Sequence, residues 1–253
     1  MRVPVVITVV VLLFAITVIA ATTWLLGRAA PPDARSERWR IPAAVGAALT
    51  AWLVVVVLVA ANGGFASATG GPPAVAYPLV LGVVGVLIAV RTIRPLRELV
   101  AQPLAQRGLI ALHSWRVGGG VFLVLAAMGS LPALFALPAG LGDIAIALAA
   151  PAVARDLTSA GGRRRATGWA VLGLIDLVVA VTLGALSSPG PAQIFDTTPS
   201  TALLSEFPLA LFPTFLVPLA MALHLLSLEQ LLREPRLPSE RRRQLFRGGA
   251  AVR

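Results

Sequence analysis

Residues Gly168–Leu186 read GWAVLGLIDLVVAVTLGAL, two residues after Arg163-Arg164-Arg165. A bilayer core of about 30 Å is crossed by about 20 apolar residues as helix, within a range of about 17–25. The stretch has that length, one charge at Asp176, and an arginine cluster just ahead of it. It reads as a membrane-spanning helix whose start is held on the cytoplasmic side.

The same pattern recurs at Val3–Leu26, Ile41–Ala61, Ala74–Val90, Leu109–Met128, Ala139–Ala154 and Phe207–Leu228. Ala139–Ala154 is short and Ala74–Val90 marginal, so neighbours must cover the mismatch or these helices must tilt less. The expected fold is all-α: a polytopic transmembrane helix bundle of seven helices. Residues 1–228 form a single domain and residues 229–253 a basic cytoplasmic tail. Val3–Leu26 is longer than a signal-peptide core of about 7–15 residues, so it reads as a retained helix.

Composition points the same way. Of 253 residues, 57% are apolar and 13% charged, against about 25% charged in a soluble domain. Mean hydropathy is +0.87. The net charge of +10 therefore reads as membrane topology rather than as affinity for nucleic acid. There is no Cys, which excludes disulfides, thiolate nucleophiles and Cys-ligated metal centres. All 21 basic residues are Arg, so no Lys can form a Schiff base.

The arginines alternate from loop to loop. Arg28, Arg35, Arg38 and Arg40 follow the first span, Arg91, Arg94, Arg97 and Arg107 the third, and Arg155 and Arg163–Arg165 the fifth. With seven more in the tail, these make 19 of the 21. The intervening loops Asn62–Pro73, Gly129–Pro138 and Ser187–Glu206 hold no Arg. The N-terminus is thus expected outside and the C-terminus inside a bacterial cytoplasmic membrane. Trp24, Trp39, Trp115 and Trp169 fall near the predicted inner interface, where indole prefers to sit, and only Trp52 lies deep in a span.

The loops carry further readings. Gly129–Gly140, GSLPALFALPAG, reads as a tight outer hairpin, with a short re-entrant piece as the alternative. Ser187–Glu206 reads as a connector or as a lid over an outer opening. Arg241–Arg243 in the tail are placed to attract anionic lipid head groups at about 1 kcal/mol each, or serve only as topology determinants.

Ionisable residues inside a bilayer cost several kcal/mol and are functional candidates by default. Here they are His113, Arg116, Asp143, Asp176 and His224, all in the last four spans. The first three spans have none and read as a lipid-facing scaffold. His113, Arg116 and Gly120 share one helix face. Arg116 reads either as a further topology arginine snorkelling to water or as an anion anchor facing the bundle. Gly173, Asp176, Ala180 and Gly184 form a small-residue face, which permits close packing and aims Asp176 at a neighbour. Asp176 and Arg116 lie at similar depth, so an ion pair between them is geometrically open, for structure or for function. Asp143 follows Pro138 and reads as a first-turn carboxylate favoured by the helix dipole, or as a cation or proton entry site. His113 and His224 fit three readings: axial haem ligands, a proton relay, or unrelated core residues. Pro208, Pro213 and Pro218 each remove a helix hydrogen bond, so the last span should be kinked or locally open.

Four stretches carry a resemblance: Arg116-Val117-Gly118-Gly119 with Phe122-Leu123; Pro138 to Asp143; Gly173 to Leu177; and Phe212 to Pro218, ending at His224. From about Gln106 onward they resemble a family of bacterial integral membrane proteins without an assigned activity. The resemblance implies a helical membrane protein and supplies no catalytic residues.

No G-x-S-x-G, H-E-x-x-H or Walker A motif occurs, so an enzyme is not the expectation and no cofactor is called for. The reading best supported is a small transporter or permease-like protein with Arg116, Asp143, Asp176 and His224 around a polar site. The alternatives are a non-catalytic partner of another membrane protein, or a haem electron carrier using His113 and His224.

Overall fold

The computed structural model describes residues 3–30, 39–66 and 74–233. The tail beyond Arg233, with Arg241–Arg243, lies outside the described residues, as do Arg35 and Arg38. Every regular element among the described residues is helical.

The elements are α1 (Val5–Ala29), α2 (Arg40–Ala61), α3 (Ala76–Thr92), α4 (Arg94–Val100), α5 (Pro103–Leu112), a 3-10 segment (His113–Gly119), α6 (Gly120–Ala127), α7 (Ala133–Asp156), α8 (Gly162–Leu186), a π-helical turn (Phe212–Leu216) and α9 (Val217–Leu232). Six helical stretches are long and apolar enough to cross a membrane, and seven if α3 and α4 count as one bent span. Val5, Leu81, Leu148 and Leu172 are each more than 60% exposed. An apolar surface this extensive marks a lipid or protein contact.

Backbone breaks fall where local chemistry demands them. Ile93 is extended, and Arg94-Pro95 opens α4 at an angle of 98° to α3; proline is favoured in a first helical turn, where its missing N–H costs nothing. The α4 helix turns Leu96, Leu99 and Val100 inward and leaves Arg94 and Arg97 exposed. Gly129, at φ +68°, ends α6 in the left-handed conformation that only glycine adopts freely.

Expected boundaries move by several residues at four spans, one of them α8, which begins at Gly162 rather than Gly168 and takes in Arg163–Arg165. The span after the Gly129 turn starts at Ala133, not Ala139, and is 24 residues long. Pro138 lies inside it, since neighbouring helices and local adjustment offset a lost hydrogen bond in a buried helix. The hairpin between α6 and α7 therefore shrinks to the residues around Gly129–Pro132. The fourth span begins at Pro103 rather than Leu109. At the last span, Phe207–Ala210 is turn, Phe212–Leu216 is π-helical, and the regular helix α9 runs from Val217. The local opening there matches the run of prolines.

For helices apolar enough to face lipid, apolar burial gives little net drive for association, and close approach at small residues becomes important. Gly27 receives the Trp39 ring, Gly46 receives Thr23, and Gly118 receives Phe14. Thr22, Thr23 and Thr50 satisfy their hydroxyls on the carbonyl four residues back, at 2.7, 2.9 and 2.8 Å. α9 is the most enclosed span, packed on α3, α5 and α8. α1 and α2 pack together, with α1 also on α5 and the 3-10 segment. The first three spans are therefore part of the bundle around α5 and α9, not a separate scaffold beside it.

The arginine-bearing ends of the helices meet. Arg91 pairs with Glu229 at 3.4 Å, Arg107 donates to Thr158 at 3.3 Å, and Arg163 donates to the Leu231 carbonyl at 2.6 Å.

Candidate functional site

The sequence His113-Ser-Trp-Arg-Val-Gly-Gly119 folds as a 3-10 segment between α5 and α6. Three consecutive glycines, Gly118–Gly120, weaken α-helical preference there. At three residues per turn, His113 and Arg116 eclipse one another. Both side chains therefore point into the space enclosed by α7, α8 and α9.

Arg116 is 1% exposed and its guanidinium is the hub. Nε donates to Asp143 Oδ1 at 2.7 Å. One terminal nitrogen, Nη2, donates to Asp176 Oδ2. The other, Nη1, donates to the Gly173 carbonyl at 3.5 Å and to His224 Nε2 at 3.1 Å. A guanidinium only donates, so Nε2 is the acceptor and neutral His224 carries its proton on Nδ1. The fork geometry of arginine suits two carboxylates at once.

His224 stacks on His113, ring centroids 3.8 Å apart and planes 25° apart. Trp169 closes the aromatic group, 5.2 Å from His113 and 4.9 Å from His224. Its Nε1 donates to the Ile146 carbonyl at 3.2 Å, which fixes the indole. Neither ring nitrogen of His113 has a hydrogen-bond partner within the protein.

A glycine on the neighbouring element receives each polar side chain. Asp143 lies against Gly119, Asp176 against Gly142, and His224 against Gly173. These contacts run from the 3-10 segment to α7, from α7 to α8, and from α8 to α9. The His113–His224 stack returns from α9 to the 3-10 segment and closes the ring.

The site has two neighbouring spaces. Toward the arginine-free end, Asp143 lines a cavity of about 170 Å³, together with Phe122, Phe135, Ala180, Phe212 and others. Ser188, Thr201 and Ser205, from the segment expected as connector or lid, form part of its wall. Toward the arginine-bearing end, an open cleft of about 750 Å³ is lined by Gln106, Arg107, Thr158, Arg163 and Gln230 together with Pro103, Leu104, Leu157 and Leu231. Between it and the histidines, buried Gln106 donates to the Ser227 carbonyl at 3.4 Å. Ser227 lies one turn from His224 on α9.

All five sequence candidates thus meet at one place, but not as each was expected. Arg116 does not snorkel; two carboxylates hold it in the interior. Asp143 is not in a first turn, because α7 begins ten residues before it, so the helix dipole is not what stabilises it. Trp169 turns inward; it is 6% exposed and belongs to the site. Haem ligation by His113 and His224 needs the two rings on opposite faces of a porphyrin. Here they stack on each other, which leaves no space for one. Among the described residues no group of three or more His, Asp or Glu is arranged to hold a metal ion.

Residues 73–232 match a family described as a domain of unknown function, DUF8737. The chain belongs to the DUF8737 family. No curated protein and no solved structure matches it. Every member of the Arg116 cluster, and each of the four stretches quoted from the sequence, falls inside the DUF8737 match. That match also takes in α3, where the sequence resemblance begins only at Gln106.

Sequence reasoning missed Trp169 and the receiving role of Gly119 and Gly142 in this DUF8737 chain. The available signal was local. Gly142 precedes Asp143, Gly173 lies one turn before Asp176, and Gly119 one turn after Arg116.

Proposed function

We propose that this protein is a small ion-coupled transporter of the permease type. It would span a bacterial cytoplasmic membrane several times, with its N-terminus outside and its arginine-rich loops inside. The supporting observation is the buried cluster of one guanidinium with two carboxylates, Arg116 with Asp143 and Asp176. With both carboxylates ionised its net charge is −1, and an uncompensated charge in a low-dielectric interior is costly. One proton or one monovalent cation brings the cluster to neutrality. Asp143 borders the cavity on one side; on the other, Ser227 lies one turn from His224 and its carbonyl accepts from Gln106, which lines the open cleft. A site that takes up one positive charge between two such spaces has the layout that ion coupling needs.

The test is uptake into proteoliposomes under an imposed pH gradient, using labelled small organic cations, amino acids and sugars. The wild-type protein is expected to accumulate at least one of these several-fold over empty vesicles. Asp143→Asn and Asp176→Asn are each expected to fall to the empty-vesicle level while remaining folded. Absence of uptake for the whole panel, or undiminished uptake by both variants, would overturn the proposal.

A further inference from the structure

The cavity beside Asp143 has a chemistry more specific than an apolar void. Phe122, Phe135 and Phe212 all line it. Phe122 packs on the other two, with ring centroids 5.2 and 4.5 Å away. Ala180 and Val181 from α8 add aliphatic wall. Asp143 is the only ionisable group in the lining among the described residues.

Each part selects a ligand property. Aromatic faces attract cations through the ring quadrupole, and recognition of ammonium groups is a common use of this effect. Arg116 cannot satisfy both carboxylates with its single charge, so the cluster retains a demand for one positive charge. His113 and His224, the other titratable groups here, sit behind Arg116 and away from the cavity lining. The apolar walls reject a ligand that needs hydration over the rest of its surface. About 150 Å³ suffices for benzene, so about 170 Å³ takes a body near one aromatic ring.

We propose that the Phe122–Phe135–Phe212 cavity is a binding site for a small lipophilic ammonium ion, its apolar body against the phenylalanines and its charge beside Asp143. This deepens the transport reading and uses the same site.

The experiment is calorimetric titration of the purified full-length protein in detergent with benzylammonium, and with benzyl alcohol and toluene as uncharged counterparts. Benzylammonium is expected to bind at least tenfold more tightly than either. Asp143→Asn is expected to remove that preference while leaving the melting temperature close to wild type. Ala180→Phe, which fills the cavity and leaves the ionic cluster in place, is expected to lose benzylammonium binding as well. Equal affinity for toluene and benzylammonium would mark an apolar pocket for a lipid chain and overturn the proposal, as would absence of binding or binding untouched by both substitutions. Asp143-dependent binding without uptake in proteoliposomes would leave the ligand class standing and remove only transport. Uptake of other solutes without benzylammonium binding would do the reverse.

Discussion

Arg116→Met is expected to be the most destructive single substitution in the chain. The side chain is 1% exposed and bonded to Asp143, Asp176, Gly173 and His224. Methionine fills much of the volume but leaves two carboxylates facing each other without a counter-charge. Removing one partner from a buried ion pair costs about 3–5 kcal/mol, against a total stability of about 5–15 kcal/mol. The variant should therefore yield little monodisperse protein in detergent, and what is recovered should melt well below wild type. Arg116→Lys should rescue it only in part, because an ammonium lacks the planar fork that reaches both carboxylates. The triple variant Arg116→Met with Asp143→Asn and Asp176→Asn removes all three charges and should recover most of the loss. Such recovery separates a charge effect from a packing effect. If Arg116→Met alone melted with the wild type, the cluster would not be the electrostatic hub described here.

Legibility from sequence differed between the bundle and its site. The spans were readable because a bilayer demands long apolar helices, and their arginine-bearing ends do meet in space. The identity of the polar cluster was readable for a related reason: few ionisable residues survive inside spans unless something holds them. Depth was harder. Pro138 reads as a helix breaker by rules learned in water, yet α7 runs through it, and Asp143 moves from a helix start to mid-helix. The 3-10 segment at His113–Gly119 changes the angular spacing that α-helical periodicity assumes: His113 and Arg116 keep the common face read from the sequence, but Gly119 rather than Gly120 meets Asp143. The position of Trp169 near a span end reads as interfacial, and nothing in the sequence shows that its indole turns inward to bond α7. The glycine partners were hidden for a different reason. Each contact joins residues on two different helical elements, and a hydropathy profile carries no information on which faces meet.

Those glycine contacts give the second large expected effect. Gly142→Ala places a methyl group against Asp176 Oδ1, and Gly173→Ala places one against the His224 ring, both closer than real Cβ contacts come. Neither neighbour can yield cheaply. Asp176 is tied to Arg116, and His224 is held by Arg116, His113 and Trp169. Overpacking of this kind costs about 1–3 kcal/mol or more, although alanine is the better helix former by about 1 kcal/mol. Gly168→Ala meets nothing within 4 Å, and at Gly120 the nearest atom is 3.6 Å away, so these two should be neutral or mildly stabilising. Melting temperatures of the four variants in one detergent test the contrast. The double variant Gly142→Ala with Asp176→Ala sharpens it: with the obstructing carboxylate gone and Arg116 still paired with Asp143, the added methyl group has room. The combined loss should then be smaller than the sum of the single losses, the signature of residues in direct contact. Additive losses would mean that Gly142 and Asp176 are not in contact, and the ring of glycine-received side chains would be broken at that point.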